Sequence, residues 1–432
     1  MFRVAELAAR DRRHDDPTAH DRVGEPLPSL AGGAYRDTST TPHNASRARA
    51  DPVCDVARGP VVGRARCAPV SRTIPQAVAT DCPDRKRIMS LGNRISRREL
   101  LGAAGCLMLA ACSSAGVARA PVAAAGSPAP ATPADGLGRL FPGFEETWLD
   151  VGPNRLFARV GGPTKAPAVL LLHGFPQSHL CWHTVAPELA KTNRVVCLDL
   201  KGYGLSSAPP GDAQHEAYSK RTWANECFTV MDQLGINRFA VAGHDRGAQV
   251  GYRMALDYPT RIERLAVLDN LPIYVVWDLI DATPGFLPWW VLMARPAPEP
   301  ERILTASYIE EMVRRGSGPQ SVSIFDPGVL AQYRKNWSDP ARVHAYCEDY
   351  RAAAGPDLVA DKADVAAGKK VECPTLILWG SKIFGGFAET PLASWQRTFA
   401  PQATGMGFDC GHFLMEEKPD EIRSALAGLL RG

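Results

Sequence analysis

The stretch that decides the fold is Phe239-Ala240-Val241-Ala242-Gly243-His244-Asp245-Arg246-Gly247-Ala248-Gln249. It begins as an apolar run of strand length, and a segment with helical spacing of its apolar residues follows from Gly247. Glycines at Gly243 and Gly247 suit a tight strand-to-helix turn, because the backbone is strained there and the helix passes close to the strand. Such a turn forces the central side chain, that of Asp245, out above the sheet.

Asp245 is therefore the first candidate for chemistry. A carboxylate that attacks a saturated carbon forms an ester with it. An aspartate at this position thus points to the cleavage of carbon–halogen bonds or epoxides and not to acyl transfer. The alternative is a structural aspartate that caps the N-terminus of the following helix.

Apolar runs of strand length alternate with helical segments along much of the chain. This alternation predicts the α/β class, with a mostly parallel twisted sheet flanked by helices and joined by right-handed crossovers. A predicted hairpin between residues 148 and 160 comes first. The predicted strands that follow cover residues 168–172, 195–200, 239–243, 265–268, 375–379 and 406–408, and the predicted helices include 223–234, 392–399 and 421–430.

Polar residues follow several of these strands at the edge where parallel sheets bind ligands. Asp245, Asp269 and His412 occur in the chain order nucleophile, acid, histidine. The usual position of the acid, after the strand at 375–379, reads Gly380-Ser381-Lys382 and has no carboxylate. We therefore expect Asp269 to orient His412. Asp199, which also ends a strand, is interpreted as a structural turn residue.

Residues 272–370 break the alternation of strands and helices. An insertion of this length after the strand that ends at Asp269 predicts a helical cap, with residues 139–271 and 371–432 forming the α/β core. Its aromatic residues would exclude water and supply donors to a leaving group, although most of them are expected to be ordinary cap core. They are Trp277, Trp289, Trp290, Tyr308, Tyr333, Trp337, Tyr346 and Tyr350.

Residues 1–88 show no sustained apolar period and are rich in Arg, Asp, Ala and Pro. Such a segment cannot bury enough apolar surface to order itself, so the sequence predicts disorder there. A more recognisable N-terminus begins at Met89, and our hypothesis is that translation of the native protein starts at this residue. Peptides from residues 1–88 in the mass spectrum of the native protein would contradict this hypothesis.

Residues 89–112 resemble an export signal. Ser96-Arg97-Arg98-Glu99-Leu100-Leu101 matches a twin-arginine signal and leads into an apolar run too short to span a bilayer. Leu109-Ala110-Ala111-Cys112 resembles a lipoprotein cleavage box that would leave Cys112 lipidated. The prediction is export to the periplasm or cell envelope, with a membrane tether at Cys112 and an Ala/Pro-rich linker over residues 113–138. The alternative is a short buried helix with a buried cysteine.

The composition is that of a globular protein. Residues 1–88 contain 15 Lys and Arg against 11 Asp and Glu, whereas the rest of the chain contains 34 against 35. The positive balance therefore belongs to the leader, and nothing indicates a nucleic-acid partner. Six of the 11 cysteines lie after residue 140, and none of these six belongs to a C-x-x-C pair. They are interpreted as buried thiols, with no disulfide and no metal site assigned.

Seven motifs spread over residues 141–430 are shared with a known family. They are His173-Gly174-Phe175-Pro176-Gln177-Ser178-His179-Leu180, Gly202-Tyr203-Gly204, Gly243-His244-Asp245-Arg246-Gly247, Leu268-Asp269, Pro296-Ala297-Pro298, Asp349-Tyr350-Arg351 and Gly411-His412-Phe413. In these motifs the chain resembles the α/β-hydrolases with an aspartate nucleophile, most closely the fluoroacetate (haloacetate) dehalogenases, and also the related epoxide hydrolases.

The resemblance implies a role for each matching residue of the core. Asp245 would be the nucleophile, His412 the base and Asp269 the partner of that base. The backbone N–H groups of Phe175 and Arg246 would form the oxyanion hole. No metal and no organic cofactor is implied.

The resemblance also implies substrate contacts: the Arg246 side chain would clamp a carboxylate, and Trp290 and Tyr350 would hold the leaving halide. Two positions depart from the family pattern, which has a second carboxylate-binding arginine in place of Gln249 and a histidine in place of Trp289. Replacing a guanidinium by an amide loses charge-assisted binding of about 1–3 kcal/mol. Both departures favour a substrate that is larger or less acidic than fluoroacetate.

The sequence therefore predicts a hydrolase that cleaves the carbon–halogen bond of a 2-haloacid-like small molecule through an aspartyl ester. The first alternative is an epoxide hydrolase, in which Tyr350 would protonate the epoxide oxygen, although Arg246 stands where those enzymes more often carry an aromatic residue. The second alternative is a cell-envelope binding protein that keeps the fold without turnover. A homodimer is a further expectation.

Overall fold

The structure is a computed structural model, and it describes residues 136–432. The predicted leader (1–88), the predicted signal with Cys112 (89–112) and most of the predicted linker (113–138) lie outside the described residues, so these interpretations stay predictions. Within residues 136–432, no helix combines the length and the apolar character needed to cross a membrane.

Eight strands form one sheet: β1 (Phe144–Val151), β2 (Asn154–Gly161), β3 (Ala168–Leu172), β4 (Arg194–Leu198), β5 (Phe239–His244), β6 (Ile262–Leu268), β7 (Thr375–Gly380) and β8 (Thr404–Phe408). Their order across the sheet is β1-β2-β4-β3-β5-β6-β7-β8. The pairs β1/β2 and β2/β4 are antiparallel, and every other neighbouring pair is parallel. The predicted hairpin and the mostly parallel sheet are thus confirmed.

The centre of the sheet is built from strands that are apolar on both faces. All residues of β3 and β5 are buried, as expected of parallel strands covered by helices on each side. The helices before the insertion are α1 (Ala186–Leu189), α2 (Lys220–Gln233) and α3 (Arg246–Asp257). Of these, α2 and α3 pack on each other, and α3 also packs against β5 and β6.

All regular elements of the insertion between β6 and β7 are helices, which confirms the predicted helical cap. Its seven α-helices are α4 (Ile273–Ala282), α5 (Pro288–Met293), α6 (Glu299–Ile303), α7 (Ala306–Gly316), α8 (Pro327–Trp337), α9 (Pro340–Ala354) and α10 (Pro356–Ala366). The chain then returns to the core with α11 (Ser381–Phe384), α12 (Pro391–Arg397), α13 (Leu414–Glu417) and α14 (Pro419–Arg431).

Buried ion pairs join the cap to the core. On α2, the Lys220 Nζ contacts Asp349 Oδ1 at 2.6 Å and Asp357 Oδ2 at 3.1 Å. On α3, Arg253 Nη2 lies 2.8 Å from Asp361 Oδ1 of α10. Removing one partner of a buried pair costs about 3–5 kcal/mol, because the other charge stays desolvated. These pairs therefore favour one orientation of α9 and α10 on the core.

The six cysteines of the described residues are buried free thiols, as the sequence predicted. They are Cys181, Cys197, Cys227, Cys347, Cys373 and Cys410. Within residues 136–432 no group of three or more His, Cys, Asp or Glu side chains is arranged to hold a metal ion.

Candidate active site

The turn between β5 and α3 places Asp245 in a strained backbone conformation, with φ 47° and ψ −112°. A non-glycine residue there costs free energy, which the surrounding packing must supply. A Cβ on Gly243 would lie 2.3 Å from the Gly247 carbonyl oxygen, and a Cβ on Gly247 would lie 2.4 Å from the Leu172 carbonyl oxygen. Glycine at both positions is therefore what allows α3 to start so close to β3 and β5.

The surroundings of the Asp245 carboxylate favour its ionised form. Its Oδ2 accepts a hydrogen bond of 2.9 Å from the Phe175 N–H, and the residue is 8% exposed. Burial by itself raises the pKa of Asp245, but the charges of Arg246 and His412 and the Phe175 N–H together hold the pKa below its usual value. A carboxylate with a low pKa and a small exposed surface can act as a nucleophile near neutral pH.

The structure brings His412 and Asp269 together. Asp269 follows β6 with φ 51°, and its Oδ1 accepts a hydrogen bond of 2.7 Å from the Gly380 N–H. Its Oδ2 lies 2.5 Å from His412 Nδ1. Since a carboxylate only accepts, Nδ1 carries the proton and Nε2 is left as the basic nitrogen. The last residue of β7, where the usual carboxylate is absent, thus supplies an N–H group that fixes Asp269.

The pKa values of this pair reflect opposing causes. Burial raises the pKa of Asp269 more than the His412 hydrogen bond lowers it. Burial lowers the pKa of His412, but the hydrogen bond and charge of Asp269, together with the charge of Asp245, raise that pKa above its ordinary value.

His244, which our sequence reasoning did not assign, fixes the backbone of His412. Its Nε2 lies 2.7 Å from the His412 carbonyl oxygen and donates to it, and the two rings are 4.5 Å apart. Burial, followed by the nearby His412, lowers the pKa of His244 to about 3. The ring is therefore neutral and serves as a hydrogen-bond donor. The sequence signal that could have identified His244 is its position directly before Asp245.

The Arg246 side chain lies buried beneath the cap. Its guanidinium carbon is 3.5 Å from the centre of the Tyr350 ring and 4.2 Å from that of Trp290. Its Nη1 donates to Gln249 Oε1 at 3.0 Å, whereas Nε and Nη2 have no hydrogen-bond partner. Burial opposes its charge, but Asp349 and the other neighbouring groups raise the pKa of Arg246. The guanidinium is therefore charged, and the three N–H groups on Nε and Nη2 are available to an acceptor.

Comparison with known proteins agrees with this arrangement. Residues 167–419 match the model of the family described as alpha/beta hydrolase fold. This chain belongs to the α/β-hydrolase family. It is 41% identical over 297 residues to a fluoroacetate dehalogenase from Burkholderia sp, a match that covers 67% of this chain and 95% of that protein. The chain is accordingly an α/β-fold hydrolase with dehalogenase and epoxide hydrolase relatives.

Two further relatives point to epoxide hydrolases. The hydrolase is 31% identical to a soluble epoxide hydrolase from Corynebacterium sp. (strain C12), over 59% of this chain and 86% of that protein. It also resembles the solved structure of a candidate epoxide hydrolase from Pseudomonas aeruginosa, with 39% identity and a TM-score of 0.62. That match covers 67% of this chain and 96% of the other.

Aromatic residues of the cap cover Arg246. Trp290 and Tyr350 pack edge to face with ring centres 5.3 Å apart, and Tyr350 also packs on Phe175 at 5.6 Å. The ring contacts to Arg246 within residues 136–432 involve these two aromatics and not Trp289, which lies half-buried one position earlier on α5. The structure therefore places Trp290 and Tyr350 at the site and gives no such position to Trp289.

Asp349 balances the charge of Arg246 from the cap. Its Oδ2 lies 3.5 Å from Arg246 Nε and accepts a hydrogen bond of 2.7 Å from the Tyr203 hydroxyl, while Oδ1 contacts Lys220. The motif containing Asp349 was visible in the sequence. The partners of Asp349 could not be predicted. Lys220 lies on α2, Tyr203 in the loop after β4 and Arg246 on α3, and only the packing of these elements brings them to Asp349.

Asp199 is a structural residue in this hydrolase. Its side chain is buried and accepts hydrogen bonds from the backbone N–H groups of His179, at 2.7 Å, and Leu205, at 2.8 Å. Asp199 thus joins the loop after β3 to the loop after β4.

Proposed function

We propose that this hydrolase cleaves the carbon–halogen bond of a 2-haloacid-like compound through an ester intermediate on Asp245. One observation carries the proposal: an ionised carboxylate on a strained turn, held by the Phe175 N–H, next to a histidine whose Nδ1 is bound by Asp269. The 41% identity to a fluoroacetate dehalogenase supports the choice of leaving group.

In the first step, one carboxylate oxygen of Asp245 attacks the saturated carbon. The carbon–oxygen bond forms as the carbon–halogen bond breaks, and the halide leaves with the bonding electron pair. Because Phe175 holds Oδ2, the free Oδ1 is the attacking atom. Oδ2 then becomes the ester carbonyl oxygen, already placed against an N–H donor. Trp290 and Tyr350 form the wall that faces the departing halide.

In the second step, His412 Nε2 removes a proton from water, and the hydroxide attacks the Asp245 carboxyl carbon. The negative charge develops on Oδ2, where the backbone N–H groups of Phe175 and Arg246 would stabilise it. Each such donor contributes about 3 kcal/mol in comparable sites. Asp269 stabilises the imidazolium that forms. The tetrahedral intermediate collapses as its bond to the substrate oxygen breaks, and the leaving alkoxide takes the proton from the His412 imidazolium and departs as the alcohol. The Asp245 carboxyl group then loses its proton to solvent, which restores the carboxylate.

Arg246 and Gln249 are the residues that would bind the polar end of the substrate. Two N–H-bearing atoms of Arg246 and the Gln249 Nε2 are buried and lack partners, so they are available to a carboxylate or carbonyl oxygen. Asp349 already offsets part of the Arg246 charge at 3.5 Å. This balance is consistent with a substrate that is larger or less acidic than fluoroacetate.

Epoxide hydrolysis is the second candidate function. The Tyr350 hydroxyl lies among the charges of Arg246, Asp245 and Asp349, and a phenol in these surroundings can donate a proton or a hydrogen bond to the epoxide oxygen. Burial raises the pKa of Tyr350, so the phenol stays protonated. The relative that is a soluble epoxide hydrolase is 31% identical.

A single-turnover experiment in heavy-oxygen water tests both candidates. Excess enzyme is mixed with one haloacid, haloalkane or epoxide at a time, and the peptide containing Asp245 is weighed. Ester chemistry puts the heavy oxygen into the Asp245 carboxylate, and the product identifies the substrate class. Asp245→Asn should give neither product nor label. Product without label would exclude the ester mechanism.

A further inference from the structure

The Glu417 carboxylate accepts hydrogen bonds from three backbone N–H groups, which come from two parts of the molecule. Its Oε2 accepts from Gly411 N–H at 2.8 Å and from Gly318 N–H at 2.8 Å. Its Oε1 accepts from Phe413 N–H at 3.3 Å. Gly411 and Phe413 are the two neighbours of His412, whereas Gly318 belongs to the cap just after α7. One side chain therefore holds the residues on both sides of His412.

The backbone of His412 itself is fixed by two other contacts. Its N–H donates to the Gly316 carbonyl oxygen at 2.8 Å, and its carbonyl oxygen accepts from His244 Nε2 at 2.7 Å. Since Glu417 binds the residues on both flanks, every backbone N–H from residue 411 to residue 413 has a hydrogen-bond partner. Asp269 then orients the His412 side chain through its contact with Nδ1.

The cap segment 316–318 meets the histidine loop without intervening side chains. A Cβ on Gly411 would lie 2.3 Å from the Gly318 nitrogen and 2.4 Å from the Gly316 carbonyl oxygen. A Cβ on Gly318 would lie 2.4 Å from Glu417 Oε2. The backbones are therefore in direct contact, and Glu417 is the side chain that links them.

An ordinary helix-capping role does not account for these contacts. In a capping box, an acidic residue near the helix N-terminus accepts from the N-cap N–H, and here that bond, from Phe413, is the longest of the three. The two 2.8 Å bonds come from Gly411, which precedes α13, and from Gly318, which lies in the helical insertion that forms the cap. Charge-assisted hydrogen bonds of this kind are stronger than neutral ones.

We propose that Glu417 is a positioning residue for His412 in the hydrolysis of the Asp245 ester. The proposal rests on the function proposed above. A carboxylate is required because it only accepts, whereas the amide of a glutamine would turn an NH₂ group toward one of the three donors. Misplacing the base by a fraction of an ångström slows proton removal from water and leaves the alkylation by Asp245 intact.

The charges around His412 make a second readout possible. Asp269, Asp245 and Glu417 all favour its protonated form, and the neutral His244 packs against its ring. Replacing Glu417 by a neutral side chain removes one of these anions. The protonation midpoint of His412 should therefore move to lower pH, which a loss of packing alone would not produce.

The test compares Glu417→Gln with Glu421→Gln, an identical change at an exposed position one turn further on, and with His412→Gln. Chloroacetate and styrene oxide serve as probes, and the mass of the intact protein reports the ester. In Glu417→Gln we expect ester hydrolysis about 10- to 100-fold slower than in wild type, with accumulated ester and a lower His412 midpoint by NMR. Glu421→Gln should match wild type.

The outcomes separate this inference from the proposed function. If His412→Gln accumulates ester but Glu417→Gln turns over like wild type with an unchanged His412 midpoint, Glu417 has no positioning role. If wild type turns over a probe but His412→Gln forms no ester with it, the ester mechanism itself is wrong and the inference falls with it. Should Glu417→Gln unfold, Gly318→Ala places a Cβ 2.4 Å from Glu417 Oε2 and displaces the carboxylate while keeping its charge. Slower ester hydrolysis is again the expected result, and a wild-type rate would contradict the positioning role.

Discussion

The two sides of the site are held in different ways. On the core side, Asp245, Asp269 and His412 each accept or donate short hydrogen bonds to backbone or to one another. On the cap side, Trp290 and Tyr350 meet Arg246 through the faces of their rings. Hydrogen bonds fix direction, whereas ring faces tolerate displacement. In the proposed reaction the core side therefore carries the chemical steps, and the aromatic residues of the cap adapt to the substrate that Arg246 and Gln249 bind.

Charge is distributed differently on the two sides as well. The core side carries two carboxylates, Asp245 and Asp269, and the charges of both raise the pKa of His412. The cap side pairs Arg246 and Lys220 with Asp349 and leaves two nitrogens of Arg246 unbonded. A buried guanidinium with free N–H groups is incomplete without a ligand. The core side, by contrast, is complete before substrate arrives.

The largest effect should come from the core side, with Asp269→Asn. The amide still reaches His412 but donates to Nδ1 and so stabilises the wrong tautomer, which places the proton on Nε2. We expect kcat to fall about 10³- to 10⁴-fold, with little change in substrate affinity. Steady-state kinetics and ester accumulation by mass spectrometry measure the two effects.

Asp409→Asn is the matched control for this change. Asp409 lies in the loop before His412, and its side chain is 83% exposed beside Lys382. Its activity should equal that of wild type, because exposed ion pairs contribute little. An Asp269→Asn enzyme with near-normal kcat would show that another group orients His412.

The sequence was most informative where the backbone is most constrained. The turn around Asp245 could be predicted from Gly243 and Gly247, because only glycine fits the close backbone approaches at these two positions. The structure has that turn. The strand ends predicted the edge at which Asp245, Asp269 and His412 meet, because parallel strands bring their carboxyl ends together. These features depend on local rules, and local rules can be read from a single chain.

Contacts made by docking could not be predicted in this way. Trp289 and Trp290 are adjacent in sequence, and only the rotation of α5 on the core decides that Trp290 covers Arg246. Glu417 looks like one more acid in a helical turn until the cap places Gly318 against it. Such contacts depend on how separate elements pack, and no periodicity records that.

Two tyrosines on one helix sharpen the contrast between the sides. Tyr346 and Tyr350 are one turn apart on α9 and pack on the Phe175 ring at 5.4 and 5.6 Å. The Tyr350 hydroxyl is among the charges of the site, whereas the Tyr346 hydroxyl is buried without a partner. Tyr350→Phe should lower the rate of ester formation roughly 5- to 30-fold, the effect of losing one hydrogen bond to a developing charge.

Tyr346→Phe provides the matched control, measured by the same rapid-quench assay and by thermal unfolding. It should leave ester formation unchanged and keep or increase stability by about 1 kcal/mol, because an unsatisfied buried hydroxyl is removed. Equal effects of the two changes on ester formation would mean that both phenols act through packing and that the cap provides no hydrogen bond to the leaving group.

The smallest expected effect is a shift in the pH dependence of ester hydrolysis. It arises because Asp245 is charged in the free enzyme and neutral in the ester. In the free enzyme, burial lowers the pKa of His412, while Asp269 and the ionised Asp245 raise it above its ordinary value. His412 must be neutral to accept a proton, so the activity of the second step is lost as pH falls through this pKa. Once Asp245 is esterified its charge is gone, and the pKa of His412 must fall. The acid limb of ester hydrolysis, measured in single turnovers, should therefore lie at lower pH than the NMR titration of His412 in the free enzyme. Coincidence of the two curves would mean that His412 does not sense the charge of Asp245, and the two residues could not then act on the same ester.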